Sequence, residues 1–244
     1  MPEPKPLSQA ARIRVALLQQ IEGGLLRPGG RLPSERALAE LFATTRITLK
    51  EALGVLEAEG RVYREERRGW FVAFPRLEYA PLYGNHFQQM ADTQQRAAET
   101  RLLSVETVLA SPELCRALEV PPLSSLWKIC RQRSLDGRVA LYVEHFLRPE
   151  RFPDIQGQDL SQSLTGLYRH RYGIEYAAAA FDILPAAAQG RVAQALMLAE
   201  GSPVLLIRRI NRDAAGAALD CDYEYWRHDA VRLRVDSPAA EAAN

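Results

Sequence analysis

Arg131 and Arg133 stand two residues apart, just ahead of the dipeptide Asp136-Gly137. Asp-Gly between runs of apolar residues marks a two-residue hairpin of type I′. Strands are therefore expected over 126–135 and 138–147. Counting outward from the loop pairs Arg131 with Tyr142, Arg133 with Ala140 and Ile129 with Glu144. Side chains alternate along a strand, so Arg131, Arg133, Tyr142 and Glu144 are expected on one face. Two guanidinium groups so placed form a fork for a phosphate or carboxylate. Glu144 beside them would hold a cationic or polar group of the same ligand. A solvated face of cross-strand ion pairs fits the same pattern.

A second hairpin, 204–212 with 219–226, has the opposite sign. Asp220, Asp222, Glu224 and Trp226 alternate onto one face. Like charges in a row are unfavourable unless something positive meets them. Arg208, Arg209 or Arg212 of the neighbouring strand would serve, and so would the ammonium of a ligand. Ser161-Gln162-Ser163 opens a helix expected over 160–172 and closed by Gly173. Serine hydroxyls and backbone N–H groups at a helix start suit an anion, although plain N-caps look the same. His86, His145, His170 and His228 have no metal-ligand spacing. His145 follows Glu144, so it is expected to point to the other face and pack. Nothing resembles a nucleophile–base pair. No catalytic residue, metal or cofactor is expected.

The third group with chemical potential lies in residues 32–72. Ser34 reads as a helix cap, and Ala37, Leu38, Leu41 and Phe42 recur at helical spacing. Ala43-Thr44-Thr45 interrupts the pattern and caps a second helix reaching about Glu59, where Gly60 stops it. Leu49, Leu53 and Leu56 form its buried stripe, and Arg46, Thr48 and Lys50 its polar side. Such a pair is a helix-turn-helix, whose second helix enters the DNA major groove. A small hairpin follows, with Arg67, Arg68 and Gly69 at its tip, suited to the phosphate backbone or a minor groove. An ordinary helical hairpin with a solvated loop is the alternative.

The elements that position these groups divide in two. A helix over 7–26 packs behind the helix-turn-helix, after a proline-rich arm. Residues 75–98 read as a linker, with Pro75 and Pro81 breaking regularity and Tyr79, Tyr83 and Phe87 giving part of it something to dock. Beyond it come a strand over 103–109, a helix over 112–118, the two hairpins, a strand over 174–184, a helix over 185–198, a short strand over 231–235 and a loose tail from 239. Hairpins with interspersed helices indicate an α+β domain on an antiparallel sheet. The first 75 residues hold 12 Lys and Arg against 9 Glu and no Asp. That part of the chain is mildly basic, a modest asymmetry that points to nucleic acid only together with the helix-turn-helix pattern. No apolar run is long enough to span a bilayer. Cys115, Cys130 and Cys221 are scattered, which suggests reduced thiols in a cytoplasm.

Three stretches resemble the winged-helix domain of GntR-family bacterial transcription regulators. They are Pro28-Gly29-Gly30-Arg31-Leu32-Pro33-Ser34-Glu35-Arg36, Thr45-Arg46-Ile47-Thr48-Leu49-Lys50-Glu51-Ala52-Leu53 and Leu56-Glu57-Ala58-Glu59-Gly60. Two departures stand out. Thr45 replaces the usual serine, and Arg67-Arg68-Gly69-Trp70 replaces a Gly-x-Gly wing. Residues 85–236 resemble the effector-binding domain of the HutC branch, the UTRA domain, whose fold is shared with chorismate lyase. The landmarks are Arg131-Gln132-Arg133, Tyr142-Val143-Glu144, Ser163-Leu164, Tyr172-Gly173-Ile174 and Trp226-Arg227-His228-Asp229. His86 and Gln88 stand where that family has Ser or Thr. The segments 44–48, 67–72 and 220–229 look like regulators of 2-aminoethylphosphonate utilisation.

The resemblance implies a winged helix-turn-helix over 1–74, a linker over 75–98 and a chorismate-lyase-like antiparallel-sheet domain over 99–244. It implies a homodimeric, cytoplasmic, ligand-responsive regulator, a repressor on a palindromic double-stranded DNA operator. Arg36, Thr45, Arg46, Thr48, Lys50, Arg68 and Gly69 would face DNA. Arg131, Arg133, Tyr142, Glu144, Ser163, Asp220 and Glu224 would face a small anionic effector, 2-aminoethylphosphonate first and an amino-sugar phosphate second. An enzyme on the lyase-like fold is the rival from another class.

Overall fold

The computed structural model describes residues 7–65, 68–81 and 86–236. The proline-rich arm, Glu66 and Arg67 of the wing tip, Tyr83 and the tail lie outside the described residues. The chain divides into two compact units, residues 1–76 and 77–244.

In the first unit, helix α1 (Gln9–Glu22) is capped by Ser8, α2 (Glu35–Leu41) by Ser34 and α3 (Arg46–Ala58) by Thr45. Each cap hydroxyl accepts a backbone N–H of the first turn, satisfying a donor that the helix itself leaves unpaired. Ile13 and Leu17 of α1, Leu38 of α2 and Leu49, Leu53 and Leu56 of α3 meet in one core. Strands β1 (Val62–Glu65) and β2 (Gly69–Val72) pair antiparallel, and Val62, Trp70 and Val72 close that core from below. Residues 27–30, at first sight only a turn, lead into a third strand-like segment. Leu32 N donates to Trp70 O and Val72 N to Gly30 O, so β2 is paired on both sides. The unit is a winged helix.

In the second unit a six-stranded antiparallel sheet has the order β4-β5-β6-β9-β8-β7. Its strands are β4 (Ala98–Leu109), β5 (Ser125–Leu135), β6 (Arg138–Leu147), β7 (Ala178–Ala187), β8 (Pro203–Arg212) and β9 (Ala218–Arg227). Helices α5 (Pro112–Leu118) and α7 (Gly190–Leu196) cover one face. Helices α4 (Phe87–Thr93) and α6 (Leu164–Tyr172) pack on the other. The unit is α+β, and its middle strands are buried on both sides.

Four expectations shift. The described residues of the expected linker beyond Arg76, 77–81 and 86–98, belong to the second unit: β3 (Leu77–Tyr79) pairs parallel with β10 (Val231–Leu233), and Phe87, Met90 and Ala91 of α4 are buried there, which extends the docking expected of part of it. The Gln94 side-chain amide clamps the Glu78 backbone, donating to its carbonyl and accepting from its N–H, both at 2.8 Å. Helix α6 starts at Leu164, not 160, because Ser163 is its cap. Pro185 belongs to β7 rather than to a helix. A proline is tolerated there because β7 is an edge strand, with one side free of ladder bonds.

The fourth shift matters most. Next to the type I′ loop, Leu135 pairs with Arg138 and Ser134 with Val139, as counted. Arg133 then pairs with Leu141, leaving Ala140 as an extra residue in β6. This β-bulge moves every later pair by one, so Arg131 faces Val143, Gln132 faces Tyr142 and Ile129 faces His145. A one-residue slip exchanges the two faces of a strand.

Candidate functional site

The face of the sheet under α4 and α6 carries a cavity of about 290 Å³. Its floor comes from three neighbouring strands and β8. Arg131 and Arg133 rise from β5, His145 from β6, Asp222, Glu224 and Trp226 from β9, and Arg209 from β8. Register places them together, with His145 opposite Asp222 and Arg209 opposite Asp222 on its other side. The roof is His86, Phe87, Gln88 and Met90 around α4, with Ser161 to Thr165 at the start of α6. A second hollow of about 360 Å³ adjoins it, sharing Tyr79, His86, Thr165, Tyr176 and Arg209.

Most of the charge on this floor is internally matched. Arg131 is buried; its Nε donates to His145 Nε2 at 3.1 Å and its Nη1 to the Gln162 carbonyl at 2.8 Å. Since His145 Nε2 accepts, the ring proton lies on Nδ1, which donates to Asp222 Oδ1 at 2.6 Å. Burial and the adjacent Arg131 keep that ring neutral, its pKa down at about 4 against the pull of Asp222. Arg209 Nη2 donates to Asp222 Oδ2 at 2.7 Å and lies 3.5 Å from Glu224 Oε1. Glu224 Oε2 also accepts from Trp226 Nε1 at 2.9 Å. Burial pushes Asp222 up, but His145 and Arg209 outweigh it and hold the carboxyl below its ordinary range. His86 is likewise held neutral, lowered to about 4 by burial and then by Arg209.

Arg133 is the exception. Its guanidinium stacks over the Phe87 ring at 4.9 Å, and its Nε has no hydrogen-bond partner. It makes no ion pair among the described residues. Burial lowers its pKa to about 10, which leaves it charged at neutral pH. Three arginines lining the cavity against Asp222 and Glu224 leave one positive charge in excess.

The expected site residues therefore fall into three groups. Arg131, Arg133, Ser163 and Glu224 line the cavity. Asp220 shares their face but is buried beside it, bonded by Asn211 Nδ2 at 2.6 Å and by the Tyr176 hydroxyl. Tyr142 and Glu144 do not line it. The Ala140 bulge turns them to the opposite face, where the Tyr142 hydroxyl donates to Glu144 at 2.8 Å and Lys128 pairs with Glu144 at 2.8 Å. His145, set aside as packing, takes their place on the floor. Of the three arginines considered as partners for the acidic strand, Arg209 is the one beneath Asp222. Arg208 points away and pairs with Asp182 and Glu113.

In the winged helix, Arg46, Lys50 and Arg36 are exposed, and Arg46 has no ion pair among the described residues. Thr45 Oγ1 accepts from Thr48 N at 3.2 Å and lies 3.0 Å from Thr48 Oγ1, fixing the first turn of α3. Glu35 links the wing to α3: Trp70 Nε1 donates to its Oε1 at 3.0 Å, and Lys50 Nζ lies 3.9 Å from Oε2. Arg68 pairs with Glu65 and lies over the Phe71 ring at 5.3 Å. Gly69 has φ +101°, a conformation that suits glycine, with the Arg31 guanidinium alongside. Arg31 is a cation at the wing that spacing did not single out; its place follows from the bridge to Phe71.

Residues 9–72 match the family described as bacterial regulatory proteins, gntR family, and residues 93–232 match the UTRA domain. The "uncharacterized HTH-type transcriptional regulator YihL" of Escherichia coli K12 is 33% identical over 217 residues, covering 88% of this chain and 92% of YihL. The "HTH-type transcriptional repressor NagR" of Bacillus subtilis is 31% identical, covering 92% of each. Among solved structures, PhnF from Mycobacterium smegmatis superimposes with a TM-score of 0.66 at 25% identity, covering 93% of this chain and 99% of PhnF. A winged helix followed by a UTRA sheet, in a chain whose relatives regulate transcription, is not an enzyme's architecture: the chain belongs to the GntR family, as a transcription regulator of the HutC type.

Proposed function

We propose that this regulator is a repressor that binds a palindromic operator as a homodimer and responds to a small anionic metabolite held by Arg133. The observation that carries the reading is the Arg133 guanidinium, with an unbonded Nε and no ion pair among the described residues, lining a cavity roofed by the first turn of α6. Backbone N–H groups at a helix start and an arginine without a carboxylate partner together favour a dianionic phosphate or phosphonate. The names of two relatives, NagR and the "probable fructoselysine utilization operon transcriptional repressor" of Escherichia coli, support repression.

A phosphonate such as 2-aminoethylphosphonate is the first candidate, on the strength of the segments around the wing and β9. Its phosphonate would sit on Arg133 and Ser163, with Arg131 behind. Asp222 and Glu224 are already engaged by His145, Arg209 and Trp226, so they offer an amine less than the acidic pattern of β9 suggested. That engagement and the adjoining hollow favour a second reading, a larger phosphorylated molecule such as an amino-sugar phosphate. In the winged helix, Arg46, Thr45, Thr48 and Lys50 would read the major groove, with Arg36, Arg68 and Gly69 on the backbone.

Calorimetry of the full chain with 2-aminoethylphosphonate, glucosamine 6-phosphate and inorganic phosphate tests the reading. One of the organic anions should bind at least about tenfold more tightly than phosphate, as added contacts require, and R133A should weaken that binding by about 10- to 100-fold. Equal binding by R133A would remove Arg133 from the site.

A further inference from the structure

Helix α3 turns one line of side chains directly away from its core. Leu49, Ala52, Leu53 and Leu56 are buried at 1% exposure or less. At about 100° per residue, Ile47 lies roughly 200° around the helix from Leu49, opposite that buried stripe. It is the second residue of α3, and 81% of it is exposed, more than any other large apolar side chain among the described residues. A lone exposed isoleucine is ordinary on a protein surface. Its position here is not: Arg46 and Lys50 flank it on one side and Thr48 on the other, all four in the first turns of a helix-turn-helix second helix.

Ile47 has no group that can bond a phosphate or the polar edge of a base. The apolar feature that a major groove offers is the C5-methyl of thymine. We infer that Ile47 is a specificity determinant that reads a thymine methyl in each operator half-site, while Arg46 and Lys50 supply the polar contacts around it. The inference rests on α3 being the recognition helix. Because 81% of Ile47 is exposed and it belongs to no core cluster among the described residues, its truncation should leave the fold intact.

The test is selection of duplexes from a randomised pool by the full chain and by I47A, followed by thymine-to-uracil replacement at each selected thymine. Uracil removes the methyl and keeps every hydrogen-bonding group. At one symmetric position, uracil should weaken wild-type binding by about fourfold per half-site, the effect of one buried methyl, and leave I47A unchanged. I47A should also lose the preference for thymine there and no other. If no uracil replacement distinguishes the two proteins, the inference fails although α3 still reads DNA. If no sequence is enriched at all, the recognition-helix reading fails with it.

Discussion

The two units keep their cations in opposite ways. In the winged helix, Arg36, Arg46 and Lys50 are exposed on the surface. An exposed cation keeps its hydration and needs no partner, and several together suit an extended polyanion. On the floor of the UTRA cavity, Arg131 and Arg209 are held by His145, a peptide carbonyl and two carboxylates. Burial demands that pairing. Arg133, the third, has no ion pair among the described residues. The first surface suits a large partner read by shape and charge; on the proposed reading the second takes one small anion.

The sharpest way to break this comparison is to remove Val143, a paired residue of β6. Deletion would place Glu144 opposite Arg131, turning Glu144 inward and His145 and Leu147 to the far face, away from Asp222 and the core beneath α6. We expect the second unit to lose its cooperative unfolding transition, seen by near-UV circular dichroism. A folded deletion mutant with native effector binding would mean that the register of β6 does not set the faces.

Next in size, R46A should lower operator affinity by about 10- to 100-fold per half-site, from the loss of a base or phosphate contact, with unchanged thermal stability. Gel shift against the selected duplex measures it. R133A should lower effector affinity by about 10- to 100-fold, the range for charge-assisted hydrogen bonds. E144Q, on the far face, should change effector affinity less than about twofold; a loss as large as that of R133A would contradict its placement on the sheet.

The smallest effect concerns pH. Burial and then Asp222 raise the Asp220 carboxyl to about 7. A raised carboxyl contributes stability below its unfolded pKa, near 4, and loses it as pH rises through about 7. D220N cannot ionise, so its melting temperature relative to wild type should rise between about pH 4 and pH 7 and level off above that. A difference independent of pH would show that Asp220 stays ionised throughout.

The contrast between the units also explains what the sequence discloses. Helix caps, the α3 stripe and Gly60 act over a few residues, and the winged helix was legible from them. So were the Asp136-Gly137 turn and the shared face of Asp220, Asp222 and Glu224. The bulge was not. β6 is covered on both faces, so Val139-Ala140-Leu141-Tyr142-Val143 is apolar throughout and shows no alternation from which a skipped residue could be detected. The placement of His145 depended on that one residue. Arg209 was one of three candidates until the β8–β9 register chose it. The role of 77–98 was hidden because β3 pairs with a strand over 150 residues away.

The central claim is that the anion on Arg133 governs the winged helix. The direct test is a gel shift of wild type and R133A on the selected duplex, with and without the effector found by calorimetry. Wild type should change its operator affinity at least about tenfold on adding effector, the scale of an ordinary allosteric coupling. R133A should bind the duplex equally well and show no change. An equal response in both proteins, or none in wild type at saturating effector, would contradict the account.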